Sequence, residues 1–202
     1  MKYTALIVTF NRLGKLKKTV EETLKLEFTN IVIVNNGSTD GTQAWLSSIV
    51  DTRVIVLTLT KNTGGAGGFK TGSQYICEQL ASDWVFFYDD DAYPYPDTLK
   101  SFSQLDKQGC RVFSGLVKDP QGKPCPMNMP FSRVPTSLGD TVRYLRYPGG
   151  FIPAANRSMF VQTVSFVGMV IQRDLLATSL DQIHEQLFIY FDDLYFGYQL
   201  SL

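Results

Sequence analysis

Five β-rich runs separated by segments of helical period fill the first 117 residues, and this alternation constrains the fold more than any other feature. Residues 3–9, 31–34, 54–59, 84–88 and 112–117 read as strands. Between them, Leu13, Leu16, Val20 and Leu24 recur at helical spacing. Asp40 is suited to cap a helix carrying Ala44, Trp45 and Ile49. Tyr75, Ile76 and Leu80 mark a third helix, and Leu99, Phe102 and Leu105 a fourth that starts at Pro96 or Asp97. Such a rhythm predicts an α/β fold with a mostly parallel central sheet flanked by helices. At 202 residues and 44% apolar content, the chain suits one large domain with a full core.

The rhythm breaks after residue 117. Residues 118–158 hold most of the nine prolines and few clear periods. They predict a long excursion over the sheet, and such loops are usually functional or disordered. Residues 160–171 form a long β-rich run, Asp174 begins a short helix, and residues 187–200 are amphipathic and aromatic. Because the last apolar helical pattern runs to Leu202, the expectation is a domain cut short at its C-terminus.

Charge and cysteine usage exclude several functions. Lys plus Arg and Asp plus Glu both number 19, so the net charge is zero. There is no basic excess for nucleic acid and no polybasic block for anionic lipid. No apolar stretch reaches transmembrane length, and no signal-peptide layout opens the chain. Cys77, Cys110 and Cys125 are widely spaced and odd in number, as expected of buried thiols in a reducing compartment. The expected location is cytoplasmic, with room for peripheral association at the inner face of a membrane through a segment outside this sequence.

Chemistry concentrates at the strand ends. Asp89, Asp90 and Asp91 follow the apolar run at 84–88. Open α/β sheets bind ligands outside the carboxyl ends of their strands. Three carboxylates there repel one another unless a cation relieves them, and hard oxygen ligands suit Mg²⁺ or Mn²⁺ with substrate phosphates. The competing reading is a solvated acidic loop. Thr9-Phe10-Asn11-Arg12 ends the first strand and could flank a nucleotide, or simply turn the chain. Asn35-Asn36-Gly37-Ser38 ends the second, where an Asn amide could pair with a pyrimidine edge, although Asn-Gly is also a turn signal. From Asn62 to Phe69 the chain places four glycines, Gly64, Gly65, Gly67 and Gly68, among five residues after a strand and before a helix. Backbone there can approach a phosphate closely. Lys70 adds charge beside it or faces solvent. Asp192 and Asp193 form an acidic pair among aromatics, either a tuned general base or a helix-cap pair. His184, the single histidine, reads as a packing or surface residue.

Taken in order, Val8-Thr9-Phe10-Asn11-Arg12, the segment from Val34 to Thr42, the glycine-rich segment, the Asp triplet and Asp192-Asp193 resemble the family 2 inverting glycosyltransferases of the GT-A fold. The glycine-rich form looks closest to the galactofuranosyltransferase and rhamnosyltransferase branch. The resemblance covers nearly the whole chain. It implies a Rossmann-like sheet, with residues 1–117 binding a nucleotide sugar and residues 118–202 binding the acceptor. It implies that Thr9, Asn11 and Arg12 flank the nucleotide and that Asn36, where many relatives carry Asp, faces the pyrimidine. Asn62, Gly64, Gly65 and Gly67 would pass the sugar diphosphate. Asp89 and Asp90 would hold the nucleotide, and Asp91 with Asp89 the metal, Mn²⁺ or Mg²⁺. Asp193 would be the base with Asp192 beside it, and Gly168 and Met169 would border the acceptor.

The implied activity is hexosyl transfer from a UDP- or dTDP-sugar to a glycan or lipid-linked glycan hydroxyl, in cell-envelope polysaccharide synthesis. A nucleotidyltransferase would place its glycine-rich signature after the first strand, where this chain reads Thr-Phe-Asn-Arg. A non-catalytic carbohydrate-binding domain is the other alternative. Two departures from the family stand out. Tyr195 occupies a position two after the base that is often acidic, and the chain ends before the metal-binding histidine that many relatives place some twenty residues beyond the base. His184 is not its equivalent. The resemblance therefore implies a shortened domain of weak or absent turnover.

Overall fold

Strand β1 (Tyr3–Thr9) is buried along its whole length, as expected of a central strand covered on both faces. In a computed structural model, which describes residues 1–154, 158–188 and 191–202, it lies in a six-stranded sheet. β2 (Asn30–Asn35), β3 (Val54–Thr58), β4 (Trp84–Asp89), β5 (Val112–Ser114) and β6 (Met169–Gln172) complete it in the order β3-β2-β1-β4-β6-β5. β1 to β4 are parallel, and β6 runs antiparallel to both β4 and β5. The register brings Thr9 beside Asn35, Val8 beside Asp89 and Asn35 beside Thr58. The polar residues that end four apolar runs, Thr9, Asn35, Thr58 and Asp89, therefore gather at one end of the sheet.

Side-chain alternation divides the core into two layers. Ala5, Ile7, Ile31, Ile33, Phe86 and Tyr88 face one way, against Leu16 and Val20 of α1 (Leu13–Leu24) and Leu99 and Phe102 of α4 (Thr98–Gln104). Leu46 of the short helix α2 (Thr42–Leu46) joins this layer. Leu6, Val8, Val34, Val85 and Phe87 face the other way. They meet Phe69 and Ile76 of α3 (Gly64–Gln79), Leu176 of α6 (Arg173–Thr178) and Phe196 of α7 (Asp192–Gln199).

Several expectations need correction. The glycine-rich segment is not a loop before a helix. It forms the first turns of α3, with Gly64, Ala66, Gly67 and Gly68 buried. A side chain at Gly68 or Gly72 would run into Val8 or Leu6 of β1, so these two glycines let α3 lie close on the sheet. The run at 112–117 is paired only to Ser114, and the run at 160–171 becomes a strand only at Met169. Before that point, on backbone outside any strand, Val164 and Phe166 place their side chains in the core. The excursion contains a helix, α5 (Leu138–Arg146), with Ser137 Oγ accepting from Asp140 N at its start. The aromatic run at 187–200 becomes helix at Asp192, and Ile189 and Tyr190 of that run lie outside the described residues. All three cysteines are free thiols, but only Cys77 is buried. No helix among the described residues is long and apolar enough to cross a membrane.

Candidate functional site

The end of β1 is tied to the Asp triplet by contacts that span about eighty residues of sequence. Thr9 Oγ1 donates to Asp90 Oδ2 at 2.8 Å, and Thr19 Oγ1 of α1 donates to the Asp90 carbonyl at 2.8 Å. Arg12 Nη1 reaches Asp90 Oδ1 at 3.4 Å and Asp91 Oδ2 at 2.9 Å. Lys15 Nζ also reaches Asp91 Oδ2, at 2.8 Å. Asp90 is therefore a buried anchor, and Asp91 a half-exposed partner of two cations. Lys15 escaped the sequence reading, although its position one turn after Arg12 on a helix could have revealed it.

Asp89 is left differently. No protein donor among the described residues reaches its side chain. Burial first, then the nearby Asp90 and Asp91 carboxylates, push its pKa up to about 7 despite the opposing Arg12 charge. Asp192 adds to this repulsion. A half-buried carboxylate short of positive charge, beside two others, has the chemistry of a divalent-cation ligand. No three His, Cys, Asp or Glu side chains converge into a metal-holding group among the described residues.

This strain has a testable sign. The folded chain protonates Asp89 near about 7, against an ordinary value of 3.8. Between those values the folded state binds more protons, so the contribution of Asp89 to stability falls as pH rises through the window. Asp89→Asn removes the penalty. Its melting temperature is expected to exceed wild type at pH 8 and to converge on it toward pH 4. Equal melting temperatures at pH 8 would mean that the carboxylate carries no such burden.

The loop after β2 is built to hold other loops. Asn11, in left-handed conformation at φ 52°, donates from its backbone to Ser38 Oγ at 3.0 Å, and its side chain accepts from Thr39 N at 2.7 Å. Asn36 is buried, and its amide is fully used inside the protein. Its Nδ2 donates to Gly64 O at 2.8 Å and Asn62 Oδ1 at 3.0 Å, while its Oδ1 accepts from Thr63 N at 2.9 Å and Thr63 Oγ1 at 3.0 Å. The expectation that Asn36 faces a pyrimidine is therefore corrected: no donor or acceptor of its amide remains to read a base. It clamps the entry to α3 instead. Asn62 takes part in the same clamp, its Oδ1 also accepting from Gly64 N at 2.8 Å.

The N-terminus of α3 meets the acidic pair. Phe188, at positive φ, lies against Gly64, and its carbonyl accepts from Ala66 N at 3.1 Å. Nothing in the sequence signals this contact, because neither its φ nor its partner is locally encoded. Asp192 Oδ2 would lie 3.7 Å from a Cβ placed on Gly65. Asp192 is buried, and burial followed by the charge of Asp193 raises its pKa to about 6. The Asp193 carboxylate does not meet α3; its Oδ1 accepts from Leu194 N at 2.7 Å. It lines a cleft of about 120 Å³ with Phe131, Tyr144, Ile152 and Ser165 of the excursion and the segment after it. The pair thus faces two regions: Asp192 the start of α3 and Asp89, Asp193 the excursion.

Other assignments separate. Gly168 sits in the turn just before β6, donating to Phe87 O at 2.9 Å and accepting from Gly115 N at 2.8 Å. Met169 is fully buried in the core, so the expectation that it borders an acceptor is corrected. Lys70 pairs with Glu185 at 3.2 Å, and His184 packs edge-to-face on Tyr195 at 5.0 Å. The larger cleft, about 600 Å³, opens beside Lys2 and Asp83 at the opposite end of β1 and β4 from the carboxylates.

A central sheet of four parallel strands continued by the antiparallel β6, with helices on both faces, is the GT-A architecture. The chain belongs to glycosyl transferase family 2, whose sequence profile matches residues 4–163. A structure of residues 1–349 of S. aureus TarS superposes with a TM-score of 0.67 at 20% identity, covering 98% of this chain and 55% of that one. A longer S. aureus TarS structure gives 0.68 at 21%, covering 98% and 33%. Mannosyl-3-phosphoglycerate synthase from Rubrobacter xylanophilus gives 0.53 at 17%, covering 87% and 54%. At these identities the likeness is one of fold. The chain spans about half the length of the shorter TarS structure and a third of the longer. No curated protein matches the sequence.

Proposed function

We propose that the chain transfers a sugar from a UDP- or dTDP-linked donor to a hydroxyl of a glycan or lipid-linked glycan, with inversion. One observation carries this reading: Asp192 and Asp193 are adjacent yet face different regions, one toward Asp89 and the start of α3, the other into the cleft under the excursion. Residues 1–117 supply the donor side and residues 118–202 the acceptor side. Galactofuranose and rhamnose are the sugars suggested by the glycine-rich segment.

Asp193 accepts the proton of the acceptor hydroxyl. The acceptor oxygen forms its bond to the anomeric carbon as the bond to the diphosphate oxygen breaks, and the nucleoside diphosphate leaves with the electron pair. At the start of α3 the Thr63, Gly64 and Ala66 amides are taken by Asn36, Asn62 and Phe188, so the Gly65 amide is the one turned to the diphosphate, with Arg12 and Lys15 as its cationic neighbours. Asp89, with Asp91, would hold Mn²⁺ or Mg²⁺, which would neutralise charge on the departing diphosphate.

Gly65 tests the donor side. Unlike Gly67 and Gly68, it has room for a Cβ, whose nearest neighbour is Asp192 Oδ2 at ordinary contact distance, so packing alone does not demand glycine there. Gly65→Ala is expected to fold with stability unchanged or raised by up to about 1 kcal/mol, the helix-propensity gain. UDP or dTDP affinity should nevertheless fall. Unchanged affinity by calorimetry would remove the start of α3 from the diphosphate path.

Thermal shifts test the metal. Asp91→Ala is expected to abolish the Mn²⁺-dependent part of the stabilisation given by UDP or dTDP. Equal metal-linked shifts in wild type and variant would overturn the role of Asp91. Release of nucleotide from UDP-galactofuranose or dTDP-rhamnose, with and without acceptor, tests the reaction itself.

A further inference from the structure

Helix α5 turns its apolar side outward. Leu138, Val142 and Leu145 fall on one face by their spacing, and they are 88%, 65% and 76% exposed. The helix is nevertheless firmly seated. Tyr144 packs against Phe131 and Phe151 at 5.5 and 5.7 Å, and Asp140 takes both oxygens to Arg133 Nη2 at 2.9 Å. The outward stripe therefore follows from how α5 is docked and not from fraying.

Basic groups border the stripe. Arg146 falls beside the stripe by its spacing and stands over the exposed Tyr147 ring at 5.9 Å, and Arg143 is exposed on the adjoining flank of the helix. Neither arginine has an ion-pair partner among the described residues. Residues 118–154 carry Lys118, Lys123, Arg133, Arg143 and Arg146 against Asp119 and Asp140, in a chain of zero net charge. No polybasic run is visible in the sequence, because the helix, not the chain, brings these groups beside the apolar stripe.

We propose that α5 is an interfacial helix that seats this face of the protein on an anionic lipid bilayer. An apolar stripe sinks to the acyl boundary while guanidinium and phenol groups stay at headgroup level. A protein partner could cover the stripe, but an apolar stripe rimmed by unpaired arginines and a tyrosine is complementary to anionic headgroups. The inner side of α5 contributes Tyr144 to the cleft that Asp193 lines. Seating α5 on a bilayer would bring that cleft to the surface where a lipid-linked acceptor lies. This last step rests on the transfer reading above; the lipid contact does not.

Flotation with phosphatidylcholine vesicles and with phosphatidylcholine–phosphatidylglycerol vesicles tests the proposal. Wild type is expected to float with the anionic vesicles and to be released at about 0.5 M salt, where exposed charges are screened. The combined Leu138→Ser, Val142→Ser and Leu145→Ser variant should keep the wild-type melting temperature, since these side chains are exposed. Its partition coefficient should fall at least about tenfold, the weight of one lost apolar side chain. Arg143→Ser with Arg146→Ser should lower it by at least about fivefold. Absence of wild-type flotation overturns the proposal. So does equal flotation of the triple variant, or self-association through α5 without vesicle binding, which would make the face a protein contact. Transfer to a water-soluble acceptor should be the same in wild type and triple variant. Its absence from both would count against the transfer reading and leave the vesicle result intact.

Discussion

Asp193→Asn is expected to cut sugar transfer by roughly 10²–10⁴ while donor affinity stays within about a few-fold. Asparagine keeps the shape of the side chain but cannot take the acceptor proton. Donor binding should be spared because Asp193 borders the cleft under the excursion, while the proposed donor side lies at Asp89, Arg12 and the start of α3. Asp192→Asn should have the smaller effect, through the charge that Asp192 places beside its neighbour. Steady-state kinetics on both variants decides between them. Full turnover in Asp193→Asn with loss in Asp192→Asn would move the base to Asp192, whose pKa is already raised to about 6. Full turnover in both would leave the pair as the start of a helix.

The second large effect is on stability. Asn36→Ala leaves Thr63 N and Gly64 O without the partners that now lie at 2.9 and 2.8 Å. Each buried backbone group left unpaired costs about 1–3 kcal/mol, so a loss on the order of 2–4 kcal/mol is expected in denaturant melts. The clamp also sets the entry to α3, so donor affinity should fall with it. A variant as stable as wild type would show that the loop holds itself.

Much of the fold was legible locally. Apolar runs of strand length, helical spacings and acidic or Asn-Gly punctuation each lie within a few residues, and local backbone preference and burial answer to exactly that range of sequence. The parallel sheet, the strand ends at Thr9, Asn35 and Asp89, and α1 and α4 follow from it. The glycine-rich segment misled because intrinsic propensity disfavours helix there. Close packing of Gly68 and Gly72 on β1 outweighs that preference, and the segment becomes α3.

The chain by itself determined which residues reach the strand ends, because period and burial are encoded in neighbours. Only the tertiary structure decided what each does there. Three consecutive aspartates look alike in sequence, yet Asp90 is anchored by Thr9, Asp91 is paired with Arg12 and Lys15, and Asp89 has no donor among the described residues. Asn36 looks like a base reader until its four hydrogen bonds are counted. The side of α5 that faces solvent depends on where Tyr144 and Asp140 find partners. Hydrogen bonding and charge act through space between groups that the chain separates by tens of residues, so their outcome is set only once the sheet has brought those groups together.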